Sequence, residues 1–213
     1  APSVPLSSTI LSTDEACFTS PSSASSFDSP SIGSILYRLT DYSAFAEHIQ
    51  PDRFYDETYT PVLHDLVRHT LETESPISDD LLVNRIARAH DFKRSGRLIR
   101  DRVLALIDQY YHLREDPIGG DFIWLHEDAT SLPLPAREPA TPDSIRGIEA
   151  IPAEEIRAAL PHATKGDPSV EIARIFGILR LSSAGRERIE RAIGVANRSV
   201  DGVEPIDEPS LFT

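Results

Sequence analysis

Apolar side chains recur at Val62, Leu63, Leu66, Val67 and Leu71, the spacing of one helical face, and predict a first helix over residues 59–74. Pro61 suits its first turn. Ser75-Pro76 ends it, because the residue before a proline is pushed out of the helical region. Ser78 then reads as an N-cap, with Asp79 and Asp80 on the positive end of a second helix carrying Leu81, Leu82, Ile86 and Ala87 to about His90. After a break at 91–96, a third helix is expected over 97–110, its inner face made by Ile99, Val103, Leu106, Ile107 and Tyr110. Two short apolar segments, 111–113 and 122–125, flank a Pro/Gly/Asp stretch and predict a β-hairpin turning at Gly119-Gly120, with Trp124 packing it onto the helices. Three helices followed by a hairpin is the order of a winged helix-turn-helix, so the expected fold class is mainly α with a small β-hairpin.

A second helical block follows at 151–198. Helix starts are expected near Pro152 and at Asp167-Pro168, and a last helix over about 184–196 carries Ile189, Ala192, Ile193 and Ala196. An echo links the two blocks. Ile86-Ala87-Arg88 recurs as Ile172-Ala173-Arg174, and Ser95-Gly96-Arg97 as Ala184-Gly185-Arg186 after a gap longer by three residues. The echo marks either a duplicated helix-turn-helix or a chance match. The expected organisation is a Ser/Pro-rich linker or arm (1–53), a winged-helix domain (54–126), a Pro-rich connector (127–150), the second helical, helix-turn-helix-like unit (151–198) and an acidic tail (199–213).

Charge sharpens this picture. The chain of 213 residues carries a net charge of −13, which argues against a surface cationic throughout. Yet between 85 and 102 stand Arg85, Arg88, Lys93, Arg94, Arg97, Arg100 and Arg102, opposed only by Asp91 and Asp101. On a helical wheel Lys93, Arg97 and Arg100 fall together, roughly opposite Ile99, Val103 and Leu106. In a helix-turn-helix that stripe would meet phosphates or guanine edges in a major groove. The alternative is a solvated basic face. The expected hairpin tip (Glu115, Asp116, Asp121) is acidic and unfavourable beside phosphate. A second arginine-rich stretch, 174–198, shares no single stripe and is better explained by pairing with Glu187 and Glu190.

Catalytic signatures do not emerge. The sequence holds neither a GxxxxGK[ST] nor a GxGxxG loop, and no HExxH; no catalytic residue, cofactor or metal site is expected. His64 and His69, five apart, do not share a helix face. The single cysteine, Cys17, forms no intramolecular disulfide, and a reducing, cytoplasmic setting is expected. No apolar run is long enough for a membrane helix, and the first residues lack the make-up of a signal peptide. A chain beginning at Ala1 and free of methionine reads as a piece of a larger protein.

The segments ETESPI, VNRIARAHDFKRSGRLI and IPAEEI, within a resemblance that covers about residues 54–196, resemble a bacterial domain of unknown function found near the C-terminus of large superfamily I helicase-like proteins, often downstream of a Vsr-like nuclease module. Ser75 and Asp91 stand where glycine is frequent in that family. The resemblance implies a winged-helix-like accessory region, with ATP and magnesium belonging to a motor outside this chain. The functional expectation is therefore a non-catalytic nucleic-acid-binding module of a helicase or nuclease. Its partners would be duplex DNA and the helicase/nuclease modules of the parent chain, without a membrane. Lys93, Arg94, Arg97 and Arg100 would contact the backbone, with Arg85, Arg88 and Arg102 as secondary contacts. The alternative is a winged-helix protein–protein module docking onto the motor or a partner chain.

Overall fold

A computed structural model describes residues 34–126 and 133–200. The Ser/Pro-rich start and residues 201–213 of the acidic tail lie outside the described residues. The elements are β1 (Ser34–Tyr37), α1 (Thr60–Glu74), β2 (Ile77–Ser78), α2 (Asp79–Ala89), α3 (Arg97–Tyr110), β3 (His112–Glu115), β4 (Asp121–Trp124), β5 (Ala136–Pro139), α4 (Ala153–Ala159), α5 (Pro168–Ile175) and α6 (Ser183–Val200). The chain is mainly helical with small sheets.

Two apolar cores organise these elements. In the first, the stripes of α1 (Leu63, Leu66, Val67, Leu71), α2 (Leu82, Val83, Ile86) and α3 (Ile99, Val103, Leu106, Ile107) meet, closed by Phe54 and Tyr59 from the turns before α1. Each helix buries the face that its spacing marks. Tyr110 departs from the expected inner face: the last turn of α3 passes beyond the core, and the ring stands half exposed, edge-on to His64 with centroids 4.7 Å apart. Ser78 caps α2 as expected, its Oγ accepting from Leu81 N–H. The hairpin β3–β4 sets Leu113 opposite Ile123 and Arg114 opposite Phe122. β2 joins the other edge of β4, giving the order β2-β4-β3. Gly119 and Gly120 turn the hairpin at φ 93° and 98°, a region that glycine occupies without steric cost.

The second core gathers Ile148, Ile151, Ile156, Ile172, Phe176 and Ile189. It also takes Ile118 from the hairpin turn and Ala136 from β5, so the hairpin tip is packed into the neighbouring unit. The stretches read as arm and connector hold more structure than their composition predicts. β1 and β5 pair in parallel, Ser34 beside Ala136 and Tyr37 beside Pro139.

The two helix pairs α2–α3 and α5–α6 repeat one turn. Phe92 N–H donates to Ala87 O (3.0 Å) and Asp91 N–H to Arg88 O (3.0 Å); 86 positions later Ile178 N–H donates to Ala173 O (2.8 Å) and Gly177 N–H to Arg174 O (2.9 Å). The left-handed residue is Asp91 (φ 58°) in one and Gly177 (φ 76°) in the other. The connecting segments, 90–96 and 176–182, are equally long, so α3 and α6 start at the same offset. Arg100-Asp101-Arg102-Val103 thereby falls on Arg186-Glu187-Arg188-Ile189. The match of Ser95-Gly96-Arg97 with Ala184-Gly185-Arg186 is out of this register. Gly96 precedes α3 and accepts from Arg100 N–H (3.0 Å), and the equivalent residue is Ser182, which accepts from Arg186 N–H (2.9 Å).

Candidate nucleic-acid interface

The seven cations between 85 and 102 divide into two groups. Arg88, on the last turn of α2, and Lys93 and Arg94, in the following segment, are exposed and have no ion-pair partner among the described residues. Arg97 opens α3 with its side chain 90% exposed; it reaches Asp101 at 3.4 Å, a solvent-screened pair of little strength. Ser95 Oγ donates to Asn84 Oδ1 at 2.5 Å, and the left-handed Asp91 fixes the path of the segment, so these four cations stand on an ordered turn.

Arg100, Arg85 and Arg102 do not join them. The Arg100 guanidinium closes over Asp79 and Asp80 at the start of α2. Partial burial lowers its pKa, but the two carboxylates outweigh this and hold it above the ordinary arginine value. The acidic pair that favours the helix dipole thus also consumes a cation expected to meet phosphate. Arg85 turns inward to the fully buried Glu74 at 3.1 Å. Arg102 donates to Asp56 O (2.8 Å) and Thr60 Oγ1 (2.8 Å), bracing α3 against the start of α1. Its counterpart in the second pair, Arg188, does the same with more carbonyls: Ile148 (3.0 Å), Ile151 (3.0 Å) and, on the hairpin turn, Gly119 (2.7 Å).

The hairpin tip is likewise engaged. Asp116 is buried; its Oδ2 accepts from Ala153 N–H at the start of α4 (2.8 Å) and its Oδ1 from Ile118 N–H (3.0 Å). Arg114 on β3 reaches Glu154 at 3.4 Å. Between the start of α2, the hairpin turn and residues 147–150 lies a cleft of about 540 Å³ lined by Asp79, Asp80, Asp121 and Glu149, with Arg188 in its wall. Phosphate is disfavoured there, and of the seven cations between 85 and 102 the four around the turn before α3 remain available.

The expected site residues leave out a buried ionic cluster. Glu155, fully buried on α4, accepts from Arg137 Nη2 (2.7 Å) and Nε (3.0 Å) and pairs with Arg146. Burial alone would raise the Glu155 pKa; the two guanidiniums overcome it and hold the carboxyl below the ordinary glutamate value. Arg137 also donates to the carbonyls of Glu74 (2.9 Å), Ser75 (3.1 Å) and Pro76 (2.8 Å), tying the end of α1 to the second core. The Tyr37 ring lies under Arg146, 3.9 Å from guanidinium to centroid, and its hydroxyl donates to Glu74. Burial, then Glu74, drives that phenol far above its ordinary pKa. Glu155 stands 18 and 9 positions from its arginines, separations that no local pattern reveals.

Among the described residues, no group of three or more His, Cys, Asp or Glu side chains is placed to hold a metal ion. No described helix is long and apolar enough to cross a membrane. A sequence model of the family described as a protein of unknown function (DUF3320) matches residues 52–101, the stretch from the turns before α1 into α3. No curated protein and no solved structure matches the chain.

Proposed function

We propose that residues 54–126 form a winged helix-turn-helix acting as a non-catalytic, nucleic-acid-binding accessory module of a larger helicase- or nuclease-type protein. The order α1-β2-α2-α3-β3-β4 with the sheet β2-β4-β3 supports the winged-helix reading. The matching helix pair at α5–α6 supports a second, wingless unit within 151–198, joined to the first through 127–150. The setting is cytoplasmic, beside the motor modules of the parent chain.

The observation that carries the functional reading is the ordered turn on which Arg88, Lys93, Arg94 and Arg97 stand free of strong pairing. Duplex DNA is held through its phosphates by these four. Arg85, Arg100 and Arg102 act within the fold, and the hairpin, docked on the second core, adds no contact. About four phosphate contacts give a dependence of log affinity on log salt of about −4 and little sequence preference.

Titration of a fluorescent duplex against salt tests this. Charge reversal of Lys93, Arg94 and Arg97 together is expected to lower that slope by about 3. Arg97→Ala should cost affinity and little stability. Arg100→Ala should cost little affinity and, with its screened carboxylate pairs lost, on the order of 0.5–1 kcal/mol of stability. Duplex binding that is unchanged by the triple reversal, or absent at low salt, overturns the reading. The acidic cleft and the docked hairpin favour a second reading, a protein–protein module seated on the motor or a partner chain. Co-purification with that module in the absence of any DNA retardation would establish it.

A further inference from the structure

The repeated turn supplies an internal control for the surface of the second unit. At the offset of 86, Lys93 falls on Leu179 and Ser95 on Leu181. The same backbone turn closes on lysine and serine at these positions, so its geometry does not require leucine. Leu181 packs partly into the second core. Leu179 has no such role and is 90% exposed. A lone exposed leucine is ordinary, but this one stands on the rim of a groove of about 560 Å³ lined by Ile145, Ile148, Ile178 and Leu181. Ile145 is itself 40% exposed. Besides the buried Arg146, which pairs with Glu155, the groove carries the exposed Arg180 and the exposed carboxylate Glu149, and neither of these two has an ion-pair partner within 4 Å among the described residues.

One surface therefore presents a protruding apolar side chain, an apolar concavity, an exposed cation and an exposed anion. These are the complementary halves that a two-fold contact between identical chains requires, since each feature meets its complement on the other copy. We infer that the turn at 177–182 and the groove beside it form a self-association surface, where two copies of this chain meet with Leu179 of each in the groove of the other and Arg180 of each against Glu149 of the other. The contact uses none of the four cations of the turn before α3 and does not depend on nucleic-acid binding. Its small size makes it a reversible association rather than an obligate one, and the −13 charge of each chain opposes it further.

Sedimentation equilibrium of the full 213-residue chain, run to about 1 mM protein, tests this. A monomer–dimer equilibrium is expected. Leu179→Lys installs the residue that the first turn carries; it should leave the circular dichroism and Tm unchanged and weaken the dimer at least about tenfold. Arg180→Glu should also weaken it, and adding Glu149→Arg to Arg180→Glu should restore it. A chain that stays monomeric throughout, a dimer indifferent to Leu179→Lys, or a charge swap that restores nothing overturns the inference.

Discussion

Arg188 on α6 donates a hydrogen bond to the carbonyl oxygen of Gly119 at 2.7 Å, joining the last described helix to the tip of a hairpin 69 positions earlier in the chain. The same guanidinium holds the carbonyls of Ile148 and Ile151. A side chain in this place specifies where the hairpin sits and commits its tip to the second core.

Replacement of Arg188 by alanine strands the buried carbonyls of Ile148 and Ile151 and releases that of Gly119. It is expected to cost about 3 kcal/mol, since buried acceptors left without donors lose more than a typical hydrogen bond contributes. Lysine, with one ammonium in place of a planar fork, should recover only part of it. Urea denaturation reads the cost. Amide exchange at Gly119–Asp121 should rise in the alanine variant, and unchanged protection there would show that the tip is held by other means.

Glu155 answers to pH as well as to substitution. Its carboxyl is held below the ordinary glutamate value by Arg137 and Arg146 against the opposing effect of burial. A depressed folded-state pKa contributes stability that is present above the unfolded-state value, near 4.5, and is lost as pH falls through the folded one. Glu155→Gln leaves two buried guanidiniums without a counter-charge and is expected to destabilise the neutral protein by about 3–5 kcal/mol. Its stability should then fall less steeply than that of the parent below pH about 4. Denaturant midpoints across pH 3–7 compare the two, and parallel curves would remove Glu155 as a source of the acid sensitivity.

The left-handed residues of the two turns should respond in opposite ways. Asp91 occupies φ 58°, where a side chain is strained; Asp91→Gly is expected to be neutral or to stabilise by up to about 1 kcal/mol. Gly177 sits at φ 76° with Pro139 Cγ and Ile145 Cγ1 at 2.9 Å and 3.0 Å from where a Cβ would stand. Gly177→Ala therefore combines backbone strain with a clash and should destabilise by more than about 1 kcal/mol. Thermal unfolding of both variants checks the contrast.

How much of this was legible in the sequence depends on the range of each interaction. The α1–α3 boundaries are local facts: Pro61 and Ser78 mark starts, Ser75-Pro76 marks a stop, and each helix carries its own apolar stripe. The pairing of β1 with β5 is not local, and nothing in a Ser-Ile-Leu-Tyr or Ala-Arg-Glu-Pro stretch announces a partner about a hundred residues away. The wheel of α3 aligns Arg100 with Arg97 because it sees only one helix. It does not see that the dipole-favouring Asp79 and Asp80 of α2 stand beside Arg100 and not beside Arg97. The echo between the helix pairs is likewise visible in Ile-Ala-Arg, while its true register rests on turn hydrogen bonds that residue identity does not spell out.

Tyr37 precedes the helices by more than twenty residues, yet its ring lies against Arg146 and its hydroxyl is bound by Glu74. Trimming the chain at the apparent edge of the helical part, near residue 54, would take this plug away and open a water-lined gap among buried charges. A fragment that keeps these buried charges covered therefore has to include Tyr37, well before the point at which composition would invite the cut.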